Sequence, residues 1–300
     1  MRILFIGEGR LGNQIFQYAA LSSISPPGAR IFAFGLEDLE ALFELRGPRL
    51  TVLRGGLWLK RFAKHVLAPW LLRPLARRLR LFSYAWEPEQ GGAHRGSGGR
   101  LQIRRGLLGG LMFVDGGYYQ SSEFWGELFP PRWLALRDEW RQRANELIAQ
   151  QPMTMPRPYF LHVRRGDYAA YSTHGVSDVL LPADYFRRAV DEVRARGAFN
   201  LLFVVTDDPQ WARAEFAAVP EAVVISEDPY TDFALMACCE GGIVSNSTFS
   251  LAAALFMPHP KLVIAPEFWF GFRVREWLPP KIRFEHPRIS YLAVLPNAAA

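Results

Sequence analysis

The sequence predicts an α/β protein whose parallel sheets are covered by helices on both faces. Three observations carry that expectation. Short, nearly continuous apolar runs alternate with helical patterns through the second half of the chain. The first half opens the same way, with an apolar run, a Gly-rich turn and a helical pattern. Between the halves, residues 151–158 read QPMTMPRP, a proline-rich linker. Apolar runs without polar alternation are what a sheet buried on both sides requires, and intervening helices supply the crossovers.

In order, residues 2–6 read as a strand, 11–22 as a helix and 30–34 as a second strand. The pattern then becomes irregular. Residues 90–99, QGGAHRGSGG, are a loop by composition. A strand at 113–115 and a helix over 131–150 complete the first half. Beyond the linker, strands are expected at 159–163, 200–205, 222–225, 242–244 and 262–265. Helices are expected from Pro182 to about residue 196, from Pro209, over 231–239 and over 248–256. The expected organisation is two α/β domains, residues 1–155 and 156–300, with no short-period repeat.

With 300 residues, 50% apolar and 21% charged, the chain can bury a large core, which excludes disordered and fibrous classes. Its two cysteines, Cys238 and Cys239, are neighbours and cannot form a secreted disulfide framework. The opening apolar run is too short for a signal peptide, and no uncharged run reaches about 18 residues. A soluble cytoplasmic protein is expected. The net charge of +6 is local: eight Lys/Arg and no acid lie between Arg54 and Arg80, and the remaining 27 basic and 29 acidic residues nearly cancel. Interleaved Leu57, Trp58, Phe62, Val66, Leu67, Trp70, Leu71 and Leu75 make this stretch a basic amphipathic helix or pair, broken near Pro69 and Pro74. Such a segment lies on an anionic membrane or packs as an ordinary surface helix. RNA binding fits less well, and the salt dependence of any affinity would test it.

Three clusters carry chemistry. The first, GEGRLGNQ from Gly7 to Gln14, sits between a strand and a helix, where glycines permit close backbone approach and the helix start offers N–H groups. Its G-x-G-x-x-G spacing fits a dinucleotide fingerprint, but no acidic residue ends the second strand, and a dehydrogenase is set aside. The second, His162-Val-Arg164-Arg165-Gly166-Asp167, ends a strand, where open α/β sheets bind ligands and paired arginine donors suit phosphate; Arg165 and Asp167 also suit a turn-closing salt bridge. The third, Ser245-Asn246-Ser247-Thr248-Phe249-Ser250, offers hydroxyls and free N–H groups at a helix start, as an anion cradle or as plain N-caps. There is no P-loop lysine and no H-E-x-x-H. His65, His94, His174, His259 and His286 are scattered, and only Asp207-Asp208 resembles a carboxylate pair, so no metal is expected.

These residues carry a resemblance. GRLGNQIFQYAA, DGGYYQSSEFW, FLHVRRGDY, FVVTDDPQW, DFALMACCEGGIVSNSTFS and KLVIAPEFWF occur in order across most of the chain. Together they resemble the bacterial-type α-1,2-fucosyltransferases of glycosyltransferase family 11. The H-x-R-R-x-D element is shared with α-1,6- and protein O-fucosyltransferases. One departure is Leu251-Ala-Ala-Ala-Leu255, where the family usually has tryptophans and glycine.

The resemblance implies a GT-B-like fold: two Rossmann-type halves facing a cleft, with the acceptor on the N-terminal side and GDP-fucose held by the C-terminal half. It implies inverting transfer of L-fucose from GDP-β-L-fucose to the 2-hydroxyl of a galactose-terminated glycan, with no cofactor and no metal. Arg164 would neutralise the diphosphate, with Arg165 in support and His162 beside it. Ser247, Thr248 and Ser250 would add phosphate hydrogen bonds. Asp232 would accept from guanine N1–H and its exocyclic amine, or merely open a helix. Asp167 is a candidate base, though two arginines should lower its pKa. Asn13 would position acceptor or fucose. The alternatives are another fucosyl linkage, or a sugar-nucleotide-binding protein without turnover. Partners would be GDP-fucose, the acceptor and an anionic membrane on its inner face through residues 54–80, with no nucleic acid.

Overall fold

The computed structural model describes residues 1–88, 100–125, 131–197 and 199–295. The loop expected at 90–99 lies outside them. The chain divides into two compact units, Met1–Ala135 and Leu136–Ala300.

The first unit runs β1 (Arg2–Ile6), α1 (Leu11–Ile24), β2 (Arg30–Phe34), α2 (Glu37–Leu42), β3 (Phe43–Leu45), β4 (Arg49–Val52), α3 (Leu57–Phe62), α4 (Arg73–Arg77), β5 (Phe82–Trp86), β6 (Gln102–Arg104) and β7 (Leu108–Val114). The six-stranded sheet has the order β4-β2-β1-β7-β5-β6, parallel except where β6 meets β5. From β1 the chain winds outward through β2 to β4, then returns on the other side. The winding therefore reverses between β1 and β7. Helix α1 is buried on every side from Gln14 to Leu21, as a helix hydrophobic nearly all round must be.

The basic stretch differs from expectation. Between α3 and α4 the chain continues as a wide, π-type helix, Ala63–Leu72, with Pro69 inside it, so residues 57–77 stay helical throughout. The wider winding accommodates a residue that lacks an N–H and crowds the preceding turn, and Pro74 falls in the first turn of α4, where its missing N–H is tolerated. Prolines that read as breaks are absorbed.

A short strand, β8 (Leu134–Leu136), and helix α5 (Asp138–Ala149) follow, so the helix expected from 131 starts seven residues later. The second unit then runs β9 (Pro158–Val163), α6 (Ala183–Ala195), β10 (Leu201–Thr206), α7 (Pro209–Glu215), β11 (Ala222–Ile225), α8 (Pro229–Cys238), β12 (Gly241–Ile243), α9 (Thr248–Phe256), β13 (Val263–Pro266) and β14 (Ile289–Leu292). Helix α5 packs on α8, with the Trp140 and Tyr230 rings 5.3 Å apart. It therefore belongs to the second unit, although it precedes the proline-rich linker that marked the expected boundary at 155.

The second sheet is wholly parallel, in the order β11-β10-β9-β12-β13-β14. All six residues of β9 and all six of β10 are buried, as strands covered on both faces must be. Helix α6 shows how sequence sets the cover: Tyr185, Phe186, Ala189, Val190 and Val193 form its buried stripe. Here too the winding reverses, between β9 and β12. The run 251–255 lies within α9 and is buried throughout, so the small residues that depart from the family pattern are core packing. Both units are of the Rossmann type. Among the described residues, no helix is long and apolar enough to cross a membrane.

Candidate functional site

Open α/β sheets bind ligands beyond the carboxyl ends of strands, at the point where the winding reverses. In the second unit that point joins the two clusters that the sequence kept 80 residues apart. Arg164 follows the last residue of β9, Asp207 the last residue of β10, and the register sets Val163 opposite Thr206. Asp207 therefore stands beside Arg164, with Arg164 Nη1 3.1 Å from its carboxylate. Arg164 Nε and Nη2 donate to Asp167 at 2.9 and 2.8 Å. A guanidinium has five N–H groups, so this three-point hold leaves two directed elsewhere.

Asp207 also shapes the loop. Its Oδ1 accepts from the backbone N–H of Arg165 at 2.8 Å and of Gly166 at 3.3 Å. A Cβ on Gly166 would come within 2.9 Å of the same carboxylate and would push Asp207 aside. Asp208 caps α7 by accepting from Trp211 N–H and pairs with Arg165 Nε at 3.3 Å. Arg165 itself lies over the Trp211 ring, 4.2 Å from its centroid. Arg165 thus turns toward α7. The pair Asp207-Asp208, read only as a conceivable metal site, is engaged by arginines and backbone N–H groups. Among the described residues no cluster of His, Cys, Asp and Glu has the make-up of a metal site.

On the other side of the reversal, β12 leads into α9. His162 Nδ1 and Ser245 Oγ share a 2.7 Å hydrogen bond, and Tyr168 Oη donates to the Asn246 carbonyl at 3.1 Å. Burial, with the charge of Arg164, pushes the His162 imidazole down to about 3. His162 is thus a neutral tie between the end of β9 and the loop that follows β12. Ser247 is the N-cap of α9 and accepts from Phe249 N–H. Ser250 is fully buried and donates to the Ser247 carbonyl at 3.2 Å. Ser247 and Thr248 open the first turn of α9.

Helix α8 opens at Pro229, two residues before the expected start, because Asp228 caps it, accepting from Tyr230 and Thr231 N–H. Asp232 is therefore not the helix start. It sits in the first turn, and its Oδ1 accepts from Glu227 N–H at 3.2 Å. Burial, reinforced by the neighbouring Asp228 and Glu227 charges, pushes its carboxyl up to about 7. The next residue, Phe233, packs its ring 5.7 Å from Phe249, which brings the first turns of α8 and α9 together.

The first unit has its own reversal, between β1 and β7, and a pocket of about 290 Å³ lies there. Glu8 and Asp115, just past the two strand ends, line it together with Lys64, His65 and Arg73 from the basic helix. Lys64 lies 3.2 Å from Glu8, and Arg73 Nε donates to Asp115 at 2.8 Å. Tyr84 Oη donates to Asp115 as well, at 2.5 Å. The glutamines of helix α1 hold the rim: buried Gln17 donates to the carbonyls of Glu8 and Gly117, and Gln14 donates to Asp38. Asn13 Oδ1 accepts from Gln120 Nε2 at 2.9 Å. Gly9, at φ +82, leaves the room that Asn13 occupies. Asn13 thus sits in the first turn of α1, tied to Gln120, and Arg164 and Asp207 stand just past the ends of β9 and β10. Asp115 was quoted only within a motif and Asp207 only as half of a carboxylate pair; their arginine partners, Arg73 and Arg164, lie more than 40 residues away along the chain.

Fold and site together define a protein of two Rossmann-type units, one of which presents an arginine and a helix start at its strand reversal. Residues 117–271 match the family model Glycosyl transferase family 11, and the chain belongs to that family. Among curated relatives, it is 37% identical over 120 residues to the O-antigen biosynthesis glycosyltransferase WbnK of Escherichia coli, covering 37% of this chain and 38% of that one. It is 28% identical over 260 residues to galactoside alpha-(1,2)-fucosyltransferase 1 of Ateles belzebuth, covering 82% of this chain and 63% of the relative. The chain thus spans between 38 and 63% of the length of these two relatives. Among solved structures, POFUT1 in complex with GDP aligns with a TM-score of 0.50 over 86% of this chain and 95% of that one, at 14% identity. That likeness supports the GT-B type of fold.

Proposed function

We propose that the protein transfers L-fucose from GDP-β-L-fucose to the 2-hydroxyl of a galactose-terminated acceptor, with inversion and without a cofactor or metal. The observation that carries this is Arg164, clamped by Asp167 and Asp207 at the strand reversal of a glycosyltransferase family 11 chain. The named relative in Ateles supports the α-1,2 linkage.

In this reading the second unit holds the donor. The two remaining Arg164 N–H groups and the first turn of α9, with Ser247 and Thr248, meet the diphosphate. They stabilise the charge that grows as the fucosyl–oxygen bond breaks, and a preorganised cation does this without solvent rearrangement. Asp167 and Asp207 aim the guanidinium. Since both Asp167 oxygens already accept from Arg164, Asp167 acts as its holder and not as the base. Asp232 accepts from guanine. The first unit takes the acceptor, with Asn13 positioning the sugar and the Glu8–Asp115 pocket as the place for it. The departing diphosphate leads the reaction, so the sugar develops oxocarbenium character and asks little of a base. The partners are GDP-fucose, the acceptor and an anionic membrane surface on the cytoplasmic side.

The test is direct. Purified protein, GDP-fucose and terminal galactosides should release GDP and yield a product that an α-1,2-specific fucosidase cleaves. Donor binding without turnover on any galactoside would make it a sugar-nucleotide-binding protein. A product resistant to that enzyme would assign another linkage.

A further inference from the structure

The helix that lends Lys64 and Arg73 to the first-unit pocket also exposes large apolar side chains among basic ones. On the helical stretch 57–77, Trp58 is 74% exposed and Trp70 79% exposed. Phe62 stacks on Trp58 at 5.5 Å, and Val66 and Leu71 are exposed as well. The β6–β7 turn extends the run. Leu107 and Leu108 donate their N–H groups to the carbonyls of Arg80 and Leu81, which sets Leu107, 80% exposed, next to exposed Leu79 and Leu81. Single exposed apolar residues are ordinary, but this grouping is the kind that marks an interaction face.

The charge on this face has one sign. Residues 54–81 and 100–108 hold eleven Lys/Arg and no Asp or Glu, leaving 24 basic and 29 acidic residues elsewhere. Lys64 and Arg73 turn to the pocket carboxylates, and Arg54 reaches Glu40. Arg61, Arg77, Arg78, Arg80 and Arg105 are exposed on the same segments that carry the tryptophans and leucines.

We propose that helix 57–77 and the β6–β7 turn together form one docking face for an anionic lipid bilayer. Trp58, Trp70 and Leu107 enter the headgroup–acyl boundary, and the surrounding arginines meet lipid phosphates. Charge complementarity selects this occupant. A second copy would bring the same positive charge to the face, and a nucleic acid offers no apolar phase for the tryptophans. The acidic remainder of the chain is repelled by the same surface, so the protein binds in one orientation. Docking is independent of the transfer reaction, since it needs neither donor nor acceptor.

The experiment is flotation of the full chain with phosphatidylcholine vesicles, with and without phosphatidylglycerol, at low and high salt. Binding should require phosphatidylglycerol and weaken with salt. The double variants Trp58→Ser with Trp70→Ser, and Arg78→Glu with Arg80→Glu, should each lower partitioning about tenfold or more. Their melting curves and turnover of a soluble acceptor should match the parent, which separates failed docking from failed folding or a failed transfer reading. Absence of phosphatidylglycerol-dependent binding, or undiminished binding by both variants, overturns the proposal. So does a dimer that either variant abolishes, which would give the face to a second copy. Binding to polyuridylate but not to vesicles would give it to nucleic acid.

Discussion

The two units share one plan and differ in what they place at its functional point. In each, a parallel sheet reverses its winding beside the first strand of the unit, β1 or β9, and the loops past that strand meet a neighbour's loop. In the second unit the reversal presents a cation, Arg164, held by carboxylates from its own loop and from β10. In the first unit the polarity is inverted: carboxylates, Glu8 and Asp115, are held by cations from a helix. A Rossmann-type sheet thus fixes where a site lies and leaves its charge to a few loop residues. A cationic reversal suits a leaving diphosphate. One that pairs carboxylates with cations offers sugar hydroxyls both acceptors and donors.

The strongest break in this contrast is Arg164→Ala. It should reduce kcat/KM by about 10²–10³, the usual cost of one preorganised charge stabiliser, with fold retained by circular dichroism. Near-parental turnover in a folded variant would remove Arg164 from the chemistry.

The corresponding change in the first unit, Asp115→Asn, should act on stability before it acts on the donor. Arg73 and Tyr84 both lose a charged acceptor, so unfolding in urea should shift by about 1–3 kcal/mol while GDP affinity stays unchanged. A loss of GDP affinity would contradict the division of labour between the units.

Asp232 sharpens the comparison through pH. Its folded-state pKa is raised to about 7, so the stability tied to its neutral form is present in acid and is lost as pH rises through 7. If guanine donates to the ionised carboxylate, GDP binding requires that proton to leave. Affinity should then climb as pH rises toward 7, by up to about tenfold per pH unit, and level off above it. Asp232→Asn should flatten this profile and weaken GDP by about 1–3 kcal/mol at pH 8. An unchanged profile in calorimetry would return Asp232 to a purely structural place.

The smallest expected effect is that of EDTA. Asp207 and Asp208 already accept from arginines and backbone N–H groups, so chelation should leave turnover unaltered. Inactivation by EDTA with recovery on Mg²⁺ or Mn²⁺ would convert that pair into a metal site.

Much of the fold was legible because apolar runs and helix stripes are local. β1, β9, β10, β11 and α9 stand within a residue or so of where periodicity puts them. What was missed depended on neighbours. Residues 57–77 read as broken at Pro69 and Pro74, since local rules treat proline as a stop, whereas a wider winding carries the helix through. Helix α5 read as part of the first half because a proline-rich linker looks like a boundary, whereas its packing on α8 decides membership. At the site, strand ends and helix starts were visible as clusters. The burial of Ser250 and His162 was not, because a hydroxyl or imidazole carries no local mark of which way it faces.

The Asp207 carboxylate has a bearing on how related chains are to be judged. One side chain on a neighbouring strand both bends the arginine loop and aims the arginine, yet in this reading it never meets the nucleotide. A homologue that keeps H-x-R-R-x-D but carries an apolar residue just past the adjacent strand would look intact to any motif search. Its guanidinium would keep only the carboxylate of its own loop, and that loop would lack the acceptor for two backbone N–H groups. Pseudoenzymes in this fold are therefore better sought by reading two strand ends together than by scanning either alone.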